Sequence, residues 1–252
     1  MKKVSIITAS YNSEATIKET IESVNIQTYP NIEHIFIDGS STDKTLSIIN
    51  SKSKRKKLVI SEKDNGIYDA MNKGIELASG DIIGILNSDD IYANKNIISK
   101  IIAEFNLKNV DSLFGDLIYT KTNDLKYITR FWKSGNFKKN KFLFGWMPPH
   151  PTFFVKKSIY LKFGLFNLSF ETASDYELML RLLYKENIST TYMSEVLVKM
   201  RSGGKSNKSL YSWLKGNMED RKAWKINGLR PYFFTLFLKP LRKITQFVKD
   251  QK

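Results

Sequence analysis

Short apolar runs separated by helix-patterned segments constrain the fold of this chain more than any other feature. Residues 4–8, 32–37, 58–61 and 82–86 each have the length and apolar character of a strand. Between them, residues 14–27, 44–52 and 66–78 carry helical patterns; in the first, Ile17, Ile21 and Val24 recur at helical spacing. A further helix is expected over 97–105 and a further strand over 113–120. Strands alternating with helices across linkers of ordinary length predict an α/β chain, a mostly parallel, doubly wound sheet flanked by helices. No internal repeat interrupts the pattern.

In open sheets of this kind ligands bind outside the carboxyl ends of the strands. Three such ends here carry polar clusters. The run 82–86 leads straight into Asn87-Ser88-Asp89-Asp90. Two adjacent carboxylates offer oxygen ligands to Mg²⁺ or Mn²⁺, cations that often share them with a substrate diphosphate. The same residues equally well start a turn that caps the next helix. Asp38 ends the second run, before Gly39, Ser40 and Ser41, and suits either a tight turn with exposed N–H groups or a capping role. Tyr11, just beyond the first run, can stack on a flat base or cover the sheet edge. Three such loops side by side favour a nucleotide pocket.

At 252 residues, 42% of them hydrophobic and 13% aromatic, the chain has material for one large globular domain, or for a domain with an appendage. Cysteine is absent, which removes disulfides, thiolate nucleophiles and zinc–thiolate sites and suits a reducing compartment. The start faintly resembles a secretion signal, but its apolar run stops at Ile7 and reads as a first strand. No segment approaches the ~20 apolar residues that span a bilayer. Neither export nor a membrane span is expected, which points to the cytoplasm. The net charge of +15 is uneven: from Lys199 onward 14 Lys and Arg face only Glu219, Asp220 and Asp250, a net of +11. The first 198 residues carry only +4, and a basic tail, placed as a unit at 206–252 after a domain over 1–205, predicts attraction to an anionic surface.

Five segments carry a resemblance. Val-Ser-Ile-Ile-Thr-Ala-Ser-Tyr-Asn at 4–12, Ile-Asp-Gly-Ser-Ser-Thr-Asp-Lys-Thr at 37–45, Asn-Gly-Ile-Tyr-Asp-Ala-Met-Asn-Lys-Gly-Ile at 65–75, Ala-Ser-Gly-Asp at 78–81 and Leu-Asn-Ser-Asp-Asp at 86–90 stand in register. Together they resemble family 2 glycosyltransferases of the GT-A fold, over roughly the first 200 residues. The resemblance implies a nucleotide-sugar-binding half over 1–120 and an acceptor-binding half over 121–205. It places Thr8, Ala9, Tyr11 and Asp38 around the nucleobase and ribose of a nucleotide-sugar, usually UDP-linked, with Asp38 accepting from the uracil ring. Asp69, Asn87 and Ser88 would add donor contacts. The family's metal motif is commonly Asp-x-Asp; here Asn87 replaces the first Asp, leaving Asp89, then Asp90, as ligands of Mn²⁺ or Mg²⁺.

Inverting glycosyl transfer needs a base opposite the leaving group and a way to neutralise the departing diphosphate. In the matching family segment the base precedes an apolar helix, which here makes it Asp175. Without the family, Asp175 is a helix-start residue favoured by the dipole, and Glu171 and Glu177 are rival acids. Residues 144–152, with three prolines around His150, resemble the acceptor-side loop. His150 is placed to contact a phosphate, to serve the acceptor or merely to pack, and no histidine follows it to complete a metal shell as in many GT-A enzymes. His34, inside a strand, reads as structural. Residues 202–206 are too short for a P-loop and read as a lid over the donor phosphates.

In the tail, a basic helix over 210–224 bears Trp213, Leu214 and Trp224. The apolar stretch 232–238 follows, then a charged one. It can lie in a membrane interface or dock on the body or on a second subunit. Because many enzymes of this type use polyprenyl-diphosphate sugars as acceptors, peripheral attachment to the inner face of the cytoplasmic membrane is expected. The implied activity is transfer of a sugar to a saccharide or lipid-linked saccharide in polysaccharide or glycolipid synthesis. A nucleic-acid-binding protein would need basic and stacking residues along a groove. Acids occupy the strand ends instead, so no nucleic-acid partner is expected. A nucleotidyltransferase would share the sheet and the carboxylates, but residues 9–13 lack a basic Gly-rich loop for a triphosphate.

Overall fold

The four apolar runs become β1 (Val4–Ser10), β2 (Ile32–Asp38), β3 (Lys56–Ser61) and β4 (Ile82–Ile85), all parallel, with Val4 aligned to Ile32 on one side and Ile82 on the other. The computed structural model describes residues 1–203, 210–244 and 246–247. Five further strands complete the sheet: β5 (Ile91–Tyr92), β6 (Ser112–Lys121), β7 (Asp124–Trp132), β8 (Phe154–Lys156) and β9 (Thr190–Arg201). Their order is β3-β2-β1-β4-β8-β6-β9-β5, with β7 paired to β6. β8 runs antiparallel between β4 and β6, and β9 is parallel to β6. Among the described residues six of nine strands therefore point one way, and the sheet is mixed but mostly parallel. β8 is too short, and too closely followed by a helix, to have stood out as a strand in the sequence.

Alternation along β1 decides which helix packs where. Val4 and Ile6 face a core shared with α4 (Ile97–Lys108), while Ile7 and Ala9 face one shared with α3 (Ile67–Leu77). A third cluster joins α1 (Ile17–Asn25) and α2 (Thr45–Lys52) to Phe36. Gly84 interrupts the apolar run of β4 because the Phe154 ring occupies the space a Cβ would need. The chain moves outward from β1 to β2 and β3, then returns through α3 to β4 on the other flank of β1. That reversal is a topological switch point, and it leaves the carboxyl ends of β1 and β4 open side by side.

After β8 come α5 (Lys157–Phe163) and α6 (Ser174–Met179), which passes into a π-helical turn at Leu180–Lys185. The tail forms α7 (Leu210–Ile226) and α8 (Thr235–Ile244), the latter with Pro240 inside it. α7 docks on the body: Trp224 is 1% exposed, its indole donates to the Tyr176 hydroxyl at 2.9 Å, and Asn227 donates to Glu177 at 3.0 Å. The side chains of Trp213 and Leu214, residues 204–206 of the expected lid, and the end of the tail at 248–252 lie outside the described residues. No helix among the described residues is long and apolar enough to cross a membrane.

At the opposite end of the sheet Glu33 ties β2 to β1 and to the turn before β4. It accepts from Ser5 at 2.5 Å, from the Ser79 N–H at 2.7 Å and from its hydroxyl at 2.6 Å, and pairs with Lys3 at 2.5 Å. Burial alone would raise this carboxyl, but these donors outweigh it and hold the pKa at about 2. A depressed folded pKa gives stability that is complete above the ordinary glutamate range and fades as pH falls towards 2. Glu33→Gln should cost about 2 kcal/mol at pH 7. In urea titrations the deficit should shrink steadily below about pH 4.5.

Candidate active site

Three groups of side chains surround the open end of the sheet. The first is organised by Asp38, buried at the end of β2. Its carboxylate accepts from Ser10 at 3.1 Å, from the Ser41 N–H and hydroxyl at 2.9 and 2.5 Å, and from Ser61 at 2.8 Å. One side chain thereby joins the ends of β1, β2 and β3. Its four lone-pair directions are taken, so a uracil N–H would have to displace one of those donors. The β1 and β2 loops are also cross-tied, Asn12 accepting from the Thr42 N–H at 2.9 Å and donating its own N–H to Ser41 at 2.8 Å. Thr8 is fully buried against His34, at 3.0 Å, and Ala9 lies beneath the surface, so neither side chain reaches the opening. His34 is structural: burial pushes its pKa down to about 3, and its ring lies 3.9 Å from Phe36. Tyr11 stands exposed at the mouth, beside Gly39.

The second group is the turn after β4. Asn87 donates its side-chain amide to Asp90 at 3.0 Å, and the Asp90 N–H returns to the Asn87 carbonyl at 3.1 Å. Ser88 is spent on the start of α1, its hydroxyl 2.9 Å from that of Ser13 and its carbonyl accepting from Thr16 at 2.9 Å. Asp90 is fully buried; one of its carboxylate oxygens and the side-chain oxygen of Asn87 have no partner among the described residues. Asp89 is half-buried. Burial raises the pKa of both acids, most at Asp90, where the charge of Asp89 adds to it.

The nearby cation does not neutralise them. Arg201, buried at the end of β9, donates to the backbone carbonyls of Asp89 at 2.6 Å and Thr122 at 3.2 Å and pairs with Glu19 of α1. No group of three or more His, Asp or Glu placed to hold a metal occurs among the described residues. The residues present fit a hard divalent cation for which the protein supplies one or two carboxylates and substrate oxygens or water supply the rest.

The third group holds Asp175, in the first turn of α6 and half-buried. The Tyr68 hydroxyl of α3 donates to its Oδ1 at 3.2 Å. Tyr68 stacks on Phe166 at 5.5 Å, and His150 meets the same ring edge-on at 5.7 Å. Asn72 of α3 pairs with the backbone N–H and carbonyl of Phe166, both at 2.9 Å, clamping the loop before α6. From the other side Glu219 of α7 accepts the N–H groups of Glu171, Thr172 and Ala173 at 2.9, 2.8 and 2.9 Å, and the Thr172 hydroxyl at 2.7 Å. The rival acids are elsewhere engaged, Glu177 buried against Arg181 at 2.9 Å and Glu171 with Lys215. Asp69 accepts from the Asn65 N–H at 3.0 Å, which with Lys73 holds its pKa down; it braces the turn before α3. Burial lowers the pKa of His150 against the pull of Asp175, and its Nε2 has no partner among the described residues.

Tyr119 of β6 links the second and third groups. Burial is the main cause of its raised pKa; Arg130 works against it, and Asp90 and Asp175 both add to it. Both carboxylate centres therefore lie within electrostatic reach of one phenol. Tyr68 and Asn72 lie in the quoted 65–75 segment, so a search for groups facing Asp175 had a signal there. Arg201 and Glu219 had none, because each acts on backbone far away in sequence.

The family model described as glycosyl transferase family 2 matches residues 5–163. A PGL/p-HBAD biosynthesis glycosyltransferase of Mycobacterium tuberculosis is 29% identical over 208 residues, 81% of this chain and 78% of its own. An uncharacterized glycosyltransferase of the same species is 34% identical over 181 residues, 71% and 68% of the two chains. Among solved structures, residues 1–349 of S. aureus TarS in complex with UDP-GlcNAc superpose with a TM-score of 0.71 at 18% identity, covering 89% of this chain and 65% of that one. The mannosyltransferase PcManGT of Pyrobaculum calidifontis, in complex with GDP-Man and Mn2+, gives 0.65 at 15% identity, covering 94% and 68%. The likeness to these two structures is one of fold.

The Glu219 clamp has a measurable consequence. Glu219→Ala leaves three backbone donors before α6 without their acceptor and should cost about 2–3 kcal/mol. At this chain length that lowers the melting temperature by roughly 4–10 °C. Glu219→Gln, which keeps one acceptor oxygen, should lose less than half of that in the same thermal scan.

Proposed function

The chain belongs to glycosyl transferase family 2, and from that membership we propose a specific chemistry: inverting transfer of a sugar from a UDP-sugar to a saccharide or polyprenyl-diphosphate-linked saccharide. The observation that carries this reading is the buried acid turn after β4, where one Asp90 oxygen has no partner among the described residues. It supports a diphosphate-facing acid pair there, and the Tyr68 hydrogen bond to Asp175 at 3.2 Å supports an oriented base, the two groups that displacement at an anomeric carbon requires.

Asp175 is the base. Its Oδ1 takes the Tyr68 hydrogen bond, which leaves Oδ2 to receive the acceptor hydroxyl proton as that oxygen attacks. The bond from the anomeric carbon to the phosphate oxygen breaks, and the diphosphate leaves with added negative charge. Asp89, with Asp90 behind it, would hold Mg²⁺ or Mn²⁺, which when bound offsets that charge. Tyr11 offers its ring to the base, and Asp38 holds the three strand ends around it. Thr8 and Ala9 form the floor, Asn87 and Ser88 shape the acid turn, and Asp69 braces the start of α3. His150 and Phe166 line the acceptor side. The two neighbouring structures support a nucleotide-sugar donor, one being a complex with UDP-GlcNAc and the other with GDP-Man and Mn2+.

The test is hydrolysis and transfer with a panel of UDP- and GDP-sugars, in Mn²⁺, in Mg²⁺ and in EDTA. Asp175→Asn should lower turnover by about 10²–10⁴-fold with an unchanged melting temperature. Asp89→Ala should abolish the metal dependence together with the activity. Full turnover in EDTA would remove the metal from the mechanism, and full turnover in Asp175→Asn would remove the base.

A further inference from the structure

The last described segments do something the site does not require. One side of α8 is held by the body. Thr235 donates to the Leu143 carbonyl at 2.5 Å, Arg242 donates to the Phe144 carbonyl at 2.8 Å, and Thr235 and Leu236 are buried. Gly145, at φ +72°, lets the Lys239 backbone approach so closely that a Cβ would sit 2.5 Å from its nitrogen. The other side is apolar and faces outward. Phe237 and Leu241, four residues apart on α8, are 64% and 54% exposed, and Phe233, in the turn that leads into α8, is 86% exposed; together they set out one apolar stripe. Tyr232 and Phe144 extend it, their rings 6.3 Å apart and both exposed.

Charge around the stripe is of one sign. Arg221, Lys225, Arg230 and Arg242 are exposed on α7, on the turn after it and on α8. The acids of the region turn inward, Glu219 to the start of α6 and Asp220 to Lys239 at 2.6 Å. Large aromatic side chains held out in water, rimmed by cations, match a surface that is apolar beneath an anionic layer. A second copy of the chain would bring the same cations face to face, on a protein whose net charge is already +15.

We propose that this face is a membrane-contact surface. Phe233, Phe237 and Leu241 enter the interface of an anionic bilayer, and Arg221, Lys225, Arg230 and Arg242 meet the lipid phosphates. The ten residues of α8 span about 15 Å, half the hydrocarbon thickness, so the helix lies along the interface rather than across it. The stripe is continuous with Phe144, and the chain runs from there to His150 beside Phe166. Contact would therefore bring the Asp175 side of the site towards the headgroups.

The inference stands apart from the sugar chemistry and is tested without it, by flotation of the full chain with vesicles. Binding is expected to phosphatidylcholine vesicles containing phosphatidylglycerol, weaker at high salt, and much weaker to phosphatidylcholine alone. The triple variant Phe233→Ser, Phe237→Ser, Leu241→Ser should lose about tenfold or more of that binding. Its melting temperature and its acceptor-free nucleotide-sugar hydrolysis should be unchanged. Arg221→Ala with Arg230→Ala should flatten the salt dependence. No binding of the wild type to anionic vesicles, or equal binding by the triple variant, would overturn the proposal. So would light scattering that shows a wild-type dimer dissociated by the triple variant, which would assign the stripe to a second copy.

Discussion

α3 carries the chain from β3 back over β1 to β4, so the carboxyl ends of β1 and β4 stand side by side, and the candidate site is built where they meet. The loops at the opening have few backbone partners, so side chains satisfy them. Asp38 gathers four donors from three strand ends, Asn12 ties two loops, and Ser88 is fixed to the start of α1. Several backbone groups outside the sheet ladder are matched in this way by a nearby hydroxyl, amide or carboxylate. The result is a rigid rim around a pocket whose exposed aromatic is Tyr11.

The other wall is built differently. α6 is short and its preceding residue supplies no side-chain cap, so its first turn depends on elements distant in sequence. Asn72 of α3 grips the loop before it through Phe166, and Glu219 of α7 takes three of its leading N–H groups. Asp175 is thus aimed by helices from both ends of the chain. This explains why Trp224 of α7 is among the most buried large side chains although α7 lies in the basic tail. α7 is part of the support of the candidate site, while Arg221 and Lys225 on its other side, with Arg230 and Arg242 beyond it, face outward.

Electrostatics separates the two walls further. The Asp89–Asp90 turn is dehydrated, and its nearest guanidinium, Arg201, is committed to backbone carbonyls and to Glu19. Two raised carboxyls, and two oxygens without a partner among the described residues, oppose folding. The short polar sequence at 87–90 therefore costs the fold some stability in return for a local negative field.

The sequence by itself determined the first half of the sheet, because strand and helix periodicities there differ and each strand end carries its own polar cluster. It also drew attention to Asp38 and Asp89, whose side chains stand at strand ends where local chemistry is informative. It could not separate Asp175 from Glu171 and Glu177 without a family likeness, since all three acids sit at the start of one helix. Packing gives the three different surroundings, Glu177 buried against Arg181, Glu171 beside Lys215 and Asp175 beside Tyr68. Nor could the sequence reveal β8, three residues inserted antiparallel between β4 and β6, or the role of α7. Those features depend on contacts between residues 41 to 74 positions apart, such as Leu113 with Phe154, Ile82 with Lys156 and Glu219 with Ala173. Periodicity reports the neighbours along a chain. Partners across it are chosen by the tertiary structure, which has to satisfy every buried polar group at once.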